Sequence, residues 1–164
     1  MSEVIPAQAA FREGMSRLGA AVNLITTDGQ AGRHGMTATA VCSVTDSPPT
    51  LLVCVNQRTK SHDMFVENGV LCVNVLTGEH EELSGRFARF SEDDRFAYGT
   101  WEHAITGAPV LANALAAFDC RIVDRLNRGT HSVFICEVDV TLNGNADDGL
   151  VWFGRTYHRL PPPG

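Results

Sequence analysis

Residues 35–56 read GMTATAVCSVTDSPPTLLVCVN and carry the clearest β-strand pattern in the chain. Their first half is dense in threonine, alanine and valine, which suit the pleated surface of a sheet. Asp46-Ser47-Pro48-Pro49 breaks this pattern as a turn. The apolar run from residue 50 to 56 is short enough for a buried strand. The segment therefore predicts two strands, over 36–45 and 50–56, on either side of a proline-rich turn.

The sequence on both sides of this segment predicts more strands, with short helices between some of them. Phe11, Met15 and Leu18 recur at helical spacing, and Pro6 precedes them where a helix can start. Helices are expected over 7–18, 59–68 and 79–89, and further strands over 20–27, 70–76, 115–126, 131–142 and 150–158. An irregular stretch is expected around 92–107 and a frayed tail over 161–164. Six or seven strands favour a mainly β fold, a barrel or a sandwich, over a doubly wound sheet.

Length and composition indicate an ordinary globular protein. The chain has 164 residues, of which 44% are hydrophobic and 20% charged, and this suits a single domain over 1–164. The 19 acidic and 13 basic residues give a net charge of −6, whereas nucleic-acid-binding proteins are usually basic. No run of about 18 apolar residues occurs, and the N-terminus lacks a basic start followed by an apolar core. We therefore expect a cytoplasmic protein that binds neither nucleic acid nor membranes.

Several familiar kinds of site are excluded by their sequence signatures. The chain has no G-x-G-x-x-G after a strand, no P-loop, no G-x-S-x-G elbow and no H-E-x-x-H. Its six histidines lack metal-ligand spacing, so no metal site is predicted. The five cysteines lie far apart in apolar runs. We interpret them as buried, inert thiols rather than as a disulfide framework.

Small and hydroxyl residues line the predicted strand that starts after Gly35. The run Met36-Thr37-Ala38-Thr39-Ala40-Val41 leaves backbone N–H and C=O groups uncovered, so a flat aromatic ring could approach the strand closely. The alternative interpretation is an edge or barrel strand whose small residues only permit tight packing.

The segment Asn56-Gln57-Arg58-Thr59-Lys60-Ser61-His62 follows an apolar strand and opens a predicted helix. Lys60 is the only lysine in the chain, and free N–H groups at a helix N-terminus add partial positive charge. This segment is the best phosphate-binding candidate in an acidic protein. The alternative is a solvated turn in which Ser61 is an ordinary N-cap.

Two later segments carry further candidate contacts. His131 follows the turn Gly129-Thr130, from where it could hydrogen-bond a carboxamide or donate a proton in a cleft. Residues 152–158 are expected to form one strand, with Trp152, Gly154, Thr156 and His158 on one face and Phe153, Arg155 and Tyr157 on the other. The alternatives are a surface histidine and the core packing of a C-terminal strand.

Taken together, these segments resemble the short-chain flavin reductase family, the small components of two-component flavin-dependent monooxygenases. The matching stretches are FREGMSRLGAAVNLITTDG, GMTATAVCSVTDSPPTLLVCVN, LCVNVL, FDCRI, GTH and GLVWFGRTYH. They span nearly the whole chain, and the second stretch is long and specific. The resemblance implies a flavin-binding split β-barrel with Greek-key topology that forms a homodimer.

The resemblance also implies an activity and a site. NADH or NADPH would be the hydride donor and FMN or FAD the acceptor, and the reduced flavin would diffuse to a separate monooxygenase. The residues implied to bind flavin are Met36, Thr37, Ala38, Thr39, Ala40, Val41, Asn56, Lys60, Ser61, His62 and Phe65, with Arg86, Phe87 and Phe90 as further neighbours. Those implied to bind the nicotinamide nucleotide are His131, Phe153, Arg155 and Tyr157, and His131 is the catalytic candidate.

Two other functions fit the same segments. One is a tightly flavin-bound oxidase of the pyridoxamine-phosphate oxidase type, and the other is a flavin-binding module without enzymatic activity. The sequence leaves the choice between FMN and FAD open. It also leaves NADH or NADPH open, because Arg155 and Arg159 could receive a 2′-phosphate or stay solvated.

Overall fold

The computed structural model describes residues 6–89, 94–145 and 148–161, and all statements on structure concern these residues. The α-helices are α1 (Ala7–Ser16), α2 (Lys60–Asn68) and α3 (Glu81–Ala88), with 3₁₀ turns at Gly78–His80 and Arg95–Ala97. The strands are β1 (Ala20–Ala21), β2 (Asn23–Thr27), β3 (His34–Ala38), β4 (Val41–Asp46), β5 (Pro49–Asn56), β6 (Val70–Val75), β7 (Trp101–His103), β8 (Pro109–Leu111), β9 (Ala116–Arg128), β10 (His131–Asn143), β11 (Gly149–Phe153) and β12 (Thr156–Leu160). The predicted mainly β class is confirmed.

A seven-stranded antiparallel sheet organises the molecule. Its strand order is β3-β2-β6-β9-β10-β5-β4, and smaller sheets are formed by β1-β11-β12 and by β7-β8. The two edge strands of the large sheet, β3 and β4, are joined by only Thr39 and Ala40. Two residues span about 11 Å at most between Ala38 and Val41. The sheet must therefore curl until its two edges lie next to each other at this point.

Two hydrophobic cores pack against opposite sides of this curled sheet. Along β2, successive side chains point to opposite faces: Ile25 belongs to the first core and Leu24 to the second. Every residue of β2 is consequently buried. In the first core, Phe65 of α2 meets Phe134 of β10 edge-to-face, with the ring centroids 6.3 Å apart. This contact fixes α2 against the large sheet, and the start of α2 forms part of the site described below.

Local signals determine the ends of α2. Thr59 is the N-cap, its side chain accepting a hydrogen bond from the backbone N–H of His62, and Gly69 ends the helix with a φ of 69°. The helix predicted over 59–68 is confirmed. The alternative in which Ser61 is the N-cap is wrong, because Thr59 occupies that position.

The structure differs from the predicted strands in five places. The strand predicted over 36–45 is broken at Thr39, whose C=O accepts a hydrogen bond from Val41 N–H in a tight turn. The strand predicted over 150–158 is wrong, because Gly154 and Arg155, with φ of 60° and 62°, turn the chain into the hairpin β11–β12. The strand predicted over 20–27 is interrupted at Val22, which separates β1 from β2. The stretch predicted to be irregular contains β7, and β8 lies where no strand was predicted. With these three split strands and two added ones, the described residues hold twelve strands rather than six or seven.

Two further expectations need correction or qualification. Cys72, Cys120 and Cys136 are buried, as predicted, and burial raises the pKa of the Cys136 thiol to about 12. Cys42 is exposed because it lies on the edge strand β4, whose residues are mostly exposed, and Cys54 on β5 is half-buried. The helix predicted over 7–18 ends at Ser16, and within the described chain it buries none of its own side chains. Most of the predicted tail, residues 162–164, lies outside the described residues.

No helix in the described parts of the chain is both long and apolar enough to span a membrane.

Candidate active site

A cleft of about 590 Å³ opens between β3, the start of α2, the end of α3 and the 3₁₀ turn at Arg95–Ala97. It is lined by Arg33, His34, Gly35, Met36, Thr37, Thr59, Lys60, Ser61, Phe87, Ala88, Arg89, Asp94, Arg95 and Phe96. Two of the predicted segments, the small-residue strand and the lysine-containing helix start, therefore meet in one place.

Strand β3 forms one wall of the cleft. It is an edge strand that pairs only with β2, so part of its backbone faces away from the sheet. A Cβ on Gly35 would lie 2.7 Å from Cε1 of Phe87, which shows how closely that ring packs on the strand. Thr37 donates from Oγ1 to the backbone C=O of Ser84, 2.6 Å away, and this bond fastens β3 to α3.

The start of α2 forms the opposite wall. Lys60 is exposed in its first turn, and Ser61 is only 5% exposed. The Ser61 hydroxyl lies 3.1 Å from Nδ1 of His34, the first residue of β3. A helix N-terminus carries partial positive charge from its unpaired N–H groups, so this wall suits an anionic group.

Positive charge concentrates in the cleft although the chain as a whole is acidic. Arg33, Lys60, Arg89 and Arg95 line it, and Asp94 is the single carboxylate among the lining residues that the structure describes. The guanidinium of Arg33 lies 4.5 Å from the ring centroid of Phe96 and 3.7 Å from the Asp94 carboxylate. Such a cluster attracts an anion locally, as a phosphate-bearing ligand requires.

Arg95 holds three elements of the cleft together. Its Nη1 donates to the C=O of Gly35 at 2.9 Å and of Phe87 at 3.2 Å, and its Nη2 donates to the C=O of Arg89 at 2.6 Å. The planar guanidinium fork allows one side chain to bind several carbonyls at once. Arg95 therefore ties the 3₁₀ turn to β3 and to the end of α3.

Comparison with known proteins identifies the family. Residues 15–161 match the family described as flavin reductase like domain. This chain belongs to the flavin reductase family.

Individual relatives of this flavin reductase agree with the family match. The FMN reductase (NADH) RutF of Pseudomonas syringae pv. syringae is 54% identical over 155 residues, which cover 94% of this chain and 87% of the relative. The 4-hydroxyphenylacetate 3-monooxygenase reductase component of Pseudomonas aeruginosa is 50% identical over 166 residues, covering 99% of this chain and 98% of that one.

A solved structure agrees as well. The NADH:FAD oxidoreductase SgcE6 of Streptomyces globisporus, in complex with NAD and FAD fragments, superposes on the reductase with a TM-score of 0.89 at 28% identity. The superposition covers 98% of each chain. The predicted resemblance to the flavin reductase family is thus confirmed.

The reductase brings four of its predicted flavin residues into the cleft lining: Met36, Thr37, Lys60 and Ser61. Ala38, Thr39, Ala40 and Val41 continue from the same wall across the break between β3 and β4. Asn56 ends β5, and its side-chain oxygen accepts a hydrogen bond from the backbone N–H of Arg58, 3.0 Å away. It thereby shapes the turn that leads into α2.

His62 and Phe65 face the interior of the reductase rather than the cleft. His62 is buried, with Nε2 2.8 Å from the hydroxyl of Ser132 and its ring against Phe134. Phe65 has no exposed surface and lies within the first core. Neither side chain is among the described residues that line the cleft.

The predicted nicotinamide residues occupy two other places. His131 starts β10 opposite Asn56 of β5, with Nδ1 2.9 Å from the hydroxyl of Thr130. Phe153 and Arg155 lie at the β11–β12 turn, where Arg155 forms an ion pair with Glu13 of α1. The Tyr157 hydroxyl lies 2.9 Å from Oγ of Ser84, so Tyr157 contacts the residue whose backbone accepts from Thr37.

The structure adds cleft residues that sequence reasoning missed, chiefly Arg33, His34, Arg95 and Phe96. His34 directly precedes the small-residue strand, and that position was an available signal. Arg95 follows an acidic run, and nothing in its local sequence indicates its three carbonyl contacts. Three residues were predicted as further neighbours of the flavin. Phe87 lines the cleft, Arg86 lies over the ring of Tyr98, and Phe90 is outside the described residues.

Proposed function

We propose that this protein is an NAD(P)H:flavin oxidoreductase. It takes a hydride from a reduced nicotinamide nucleotide, passes it to FMN or FAD, and releases reduced flavin to a separate monooxygenase. The single observation that carries the proposal is the positively charged cleft on the small-residue strand, in a chain of the flavin reductase family.

The isoalloxazine ring would lie against residues 35–41, which include most of β3 and the two-residue link to β4. Small side chains leave the backbone accessible there. The ribityl phosphate would bind at Lys60 and Ser61, supported by the exposed ammonium and by the helix N-terminus. Asn56, His62 and Phe65 would act through α2, by holding the turn before the helix and the helix itself in position.

Hydride transfer requires mainly that donor and acceptor are held close together and in the correct orientation. When bound, the flavin supplies the hydride acceptor and the nicotinamide supplies the donor. The residues of this chain bind and orient them and exclude water. His131 would hold the nicotinamide carboxamide, and Phe153, Arg155 and Tyr157 would shape the nucleotide pocket.

We further propose that residues 1–164 form one domain, a split β-barrel with Greek-key topology. The two-residue link between the opposite edge strands β3 and β4 supports this fold. Thermal unfolding followed by calorimetry should show one cooperative transition, whereas two separate transitions would contradict a single domain.

We also propose that the protein is a homodimer. Phe11 on α1 is 68% exposed, Leu18 just after this helix is 62% exposed, and Leu126 on β9 is 65% exposed. A dimer interface would remove such apolar side chains from water. Sedimentation velocity should give twice the mass of one chain, and a monomer at all concentrations would contradict the proposal.

The activity is tested by mixing the purified protein with each combination of NADH or NADPH and FMN or FAD. We expect the nicotinamide absorbance to fall with at least one pair, and the reduced flavin to separate from the protein on gel filtration. No turnover with any pair would overturn the enzyme assignment. Flavin that stays bound through dialysis would instead favour an oxidase with a resident flavin.

A further inference from the structure

His34 occupies an unusual position in the cleft, because it is half-buried and faces the proposed phosphate subsite. It begins β3, and its Nδ1 lies 3.1 Å from the hydroxyl of Ser61 in the first turn of α2. Ser61 is almost completely buried, so this hydrogen bond joins the two cleft walls, β3 and α2, at a mostly buried position. His34 lies outside the sequence motifs that predict the flavin and nicotinamide contacts.

The protonation state of His34 controls the direction of this hydrogen bond. A neutral imidazole whose proton sits on Nε2 can only accept at Nδ1, and the Ser61 hydroxyl then donates to the ring. A protonated imidazole must donate from Nδ1, and the Ser61 hydroxyl proton is then available to another acceptor. When the neutral ring carries its proton on Nε2, protonation thus adds a positive charge and also frees the Ser61 hydroxyl proton for another acceptor.

The surroundings of His34 disfavour its protonation while the cleft holds no anion. Burial lowers the pKa of His34, and the positive charges of Arg95 and Lys60 lower it further. Arg33 and Arg89 line the same cleft, and Asp94 is the single carboxylate there among the described lining residues. A phosphate group bound at Lys60 would offset these cations and favour the protonated ring.

We propose that His34 is a proton-linked positioning residue for the flavin phosphate, which takes up a proton when a phosphorylated flavin binds and thereby selects it over riboflavin. This inference rests on the proposed function of the cleft. Its sign follows from linkage: a group with a higher pKa in the complex than in the free protein binds the ligand more tightly at lower pH.

The direct test is calorimetric titration of the full chain with FMN near neutral pH, in two buffers of different ionisation enthalpy. We expect proton uptake on binding by the unchanged protein to exceed that of His34→Gln, by up to one proton. Glutamine can still hydrogen-bond to Ser61, so the cleft wall is retained. The control is His103→Gln, since His103 is exposed on β7 and bonds to the Gly107 carbonyl. It should take up protons like the unchanged protein.

The second measurement is FMN affinity as a function of pH for the same proteins. The FMN phosphate itself titrates near pH 6, but this contribution cancels when two proteins are compared at each pH. His34→Gln should weaken FMN binding about tenfold near pH 5.5 and by less than about twofold above pH 8.5. Riboflavin affinity should differ little between the two proteins at any pH.

Equal proton uptake by the unchanged protein and His34→Gln would overturn the inference, as would a pH-independent affinity ratio. An equal effect on riboflavin would also overturn it, because His34 would then act on something other than the phosphate. In all these cases the protein still binds and reduces FMN, so the proposed function stands. Absence of FMN binding by the unchanged protein would instead remove the proposed function and this inference with it.

Discussion

Gly35 and Phe87 are packed so tightly that a methyl group on Gly35 would lie 2.7 Å from Cε1 and 3.0 Å from Cδ1 of the ring. Phe87 is 1% exposed and is held on its other sides by Phe96 and Trp101. The ring therefore has little room to retreat. The absence of a side chain at Gly35 is what allows α3 to approach β3 and form the floor of the cleft.

Replacing Gly35 by alanine should disturb both stability and flavin binding. Overpacking of this kind typically costs about 1–3 kcal/mol, so we expect Gly35→Ala to lower the free energy of unfolding by that amount and to weaken FMN affinity. The matched control is Gly85→Ala in α3, where a Cβ meets nothing within 4 Å and helix propensity should stabilise the protein by about 0.5–1 kcal/mol. Urea unfolding of both variants checks this, and equal effects would contradict the packing account.

Replacing Arg95 by lysine should open the cleft. One ammonium group cannot bind the three carbonyls of Gly35, Phe87 and Arg89 that the guanidinium fork holds. We expect FMN affinity to fall by about tenfold or more, since hydrogen bonds from a charged group are worth about 1.5–3 kcal/mol each. Arg12→Lys on the exposed helix α1 is the control, and fluorescence titration with FMN is the measurement. Unchanged FMN affinity in Arg95→Lys would show that the three hydrogen bonds from Arg95 are not needed for flavin binding.

Replacing Lys60 by alanine should affect phosphorylated flavins selectively. A charge-assisted phosphate contact is worth about 1.5–3 kcal/mol, so FMN affinity should fall by about tenfold to a hundredfold while riboflavin affinity stays close to normal. Lys60 is exposed, so the fold should be retained, as circular dichroism can verify. If FMN binding is unaffected by both Lys60→Ala and Ser61→Ala, the phosphate binds elsewhere.

Replacing His131 by alanine should weaken the use of NADH more than the binding of FMN. His131 lies at the turn between β9 and β10, opposite Asn56, and outside the cleft lining. We expect the KM for NADH to rise about tenfold, through loss of one hydrogen bond to the carboxamide, with a much smaller change in FMN affinity. Steady-state kinetics and flavin titration measure the two effects, with His103→Ala as the control. Equal losses for both ligands would count against the nicotinamide role.

His80 should make the protein sensitive to acid. Its Nδ1 accepts a hydrogen bond from the backbone N–H of Thr77, 3.1 Å away, in a capping box, and burial lowers its pKa. The unfolded chain then binds more protons than the folded one, so stability falls as the pH drops below about 6.5, the ordinary histidine pKa.

The variant His80→Gln keeps an acceptor for Thr77 and does not titrate. We expect its free energy of unfolding to depend less on pH below about 6.5 than that of the unchanged protein. Urea unfolding across that range is the measurement. His34 adds a similar but separate slope because its pKa is also lowered, and identical pH profiles for His80→Gln and the unchanged protein would exclude His80 as a source.

The parts of the fold that were predictable depend on short-range signals. The helix over Lys60–Asn68 has Thr59 and Gly69 at its two ends, and the strands β5 and β10 carry alternating or continuous apolar residues. The hairpin at Gly154 and Arg155 was missed, because a non-glycine residue at positive φ is uncommon and its sequence resembles a continuous strand. Two segments of the site were predictable in the same way. The strand after Gly35 is rich in small and hydroxyl residues, and the turn before Lys60 is rich in polar residues, so each can be recognised from its own sequence.

The remainder of the site depends on contacts between distant segments. His34 and Ser61 are 27 residues apart in the chain, and Arg95 and Gly35 are 60 apart. The sequence by itself determined the mainly β class, the helix α2, the family and the two segments that form opposite walls of the cleft. Only the tertiary structure decided that a histidine and three arginines meet those walls. Backbone propensities act over a few residues, whereas the positions of these side chains are set by how two cores pack on one curled sheet.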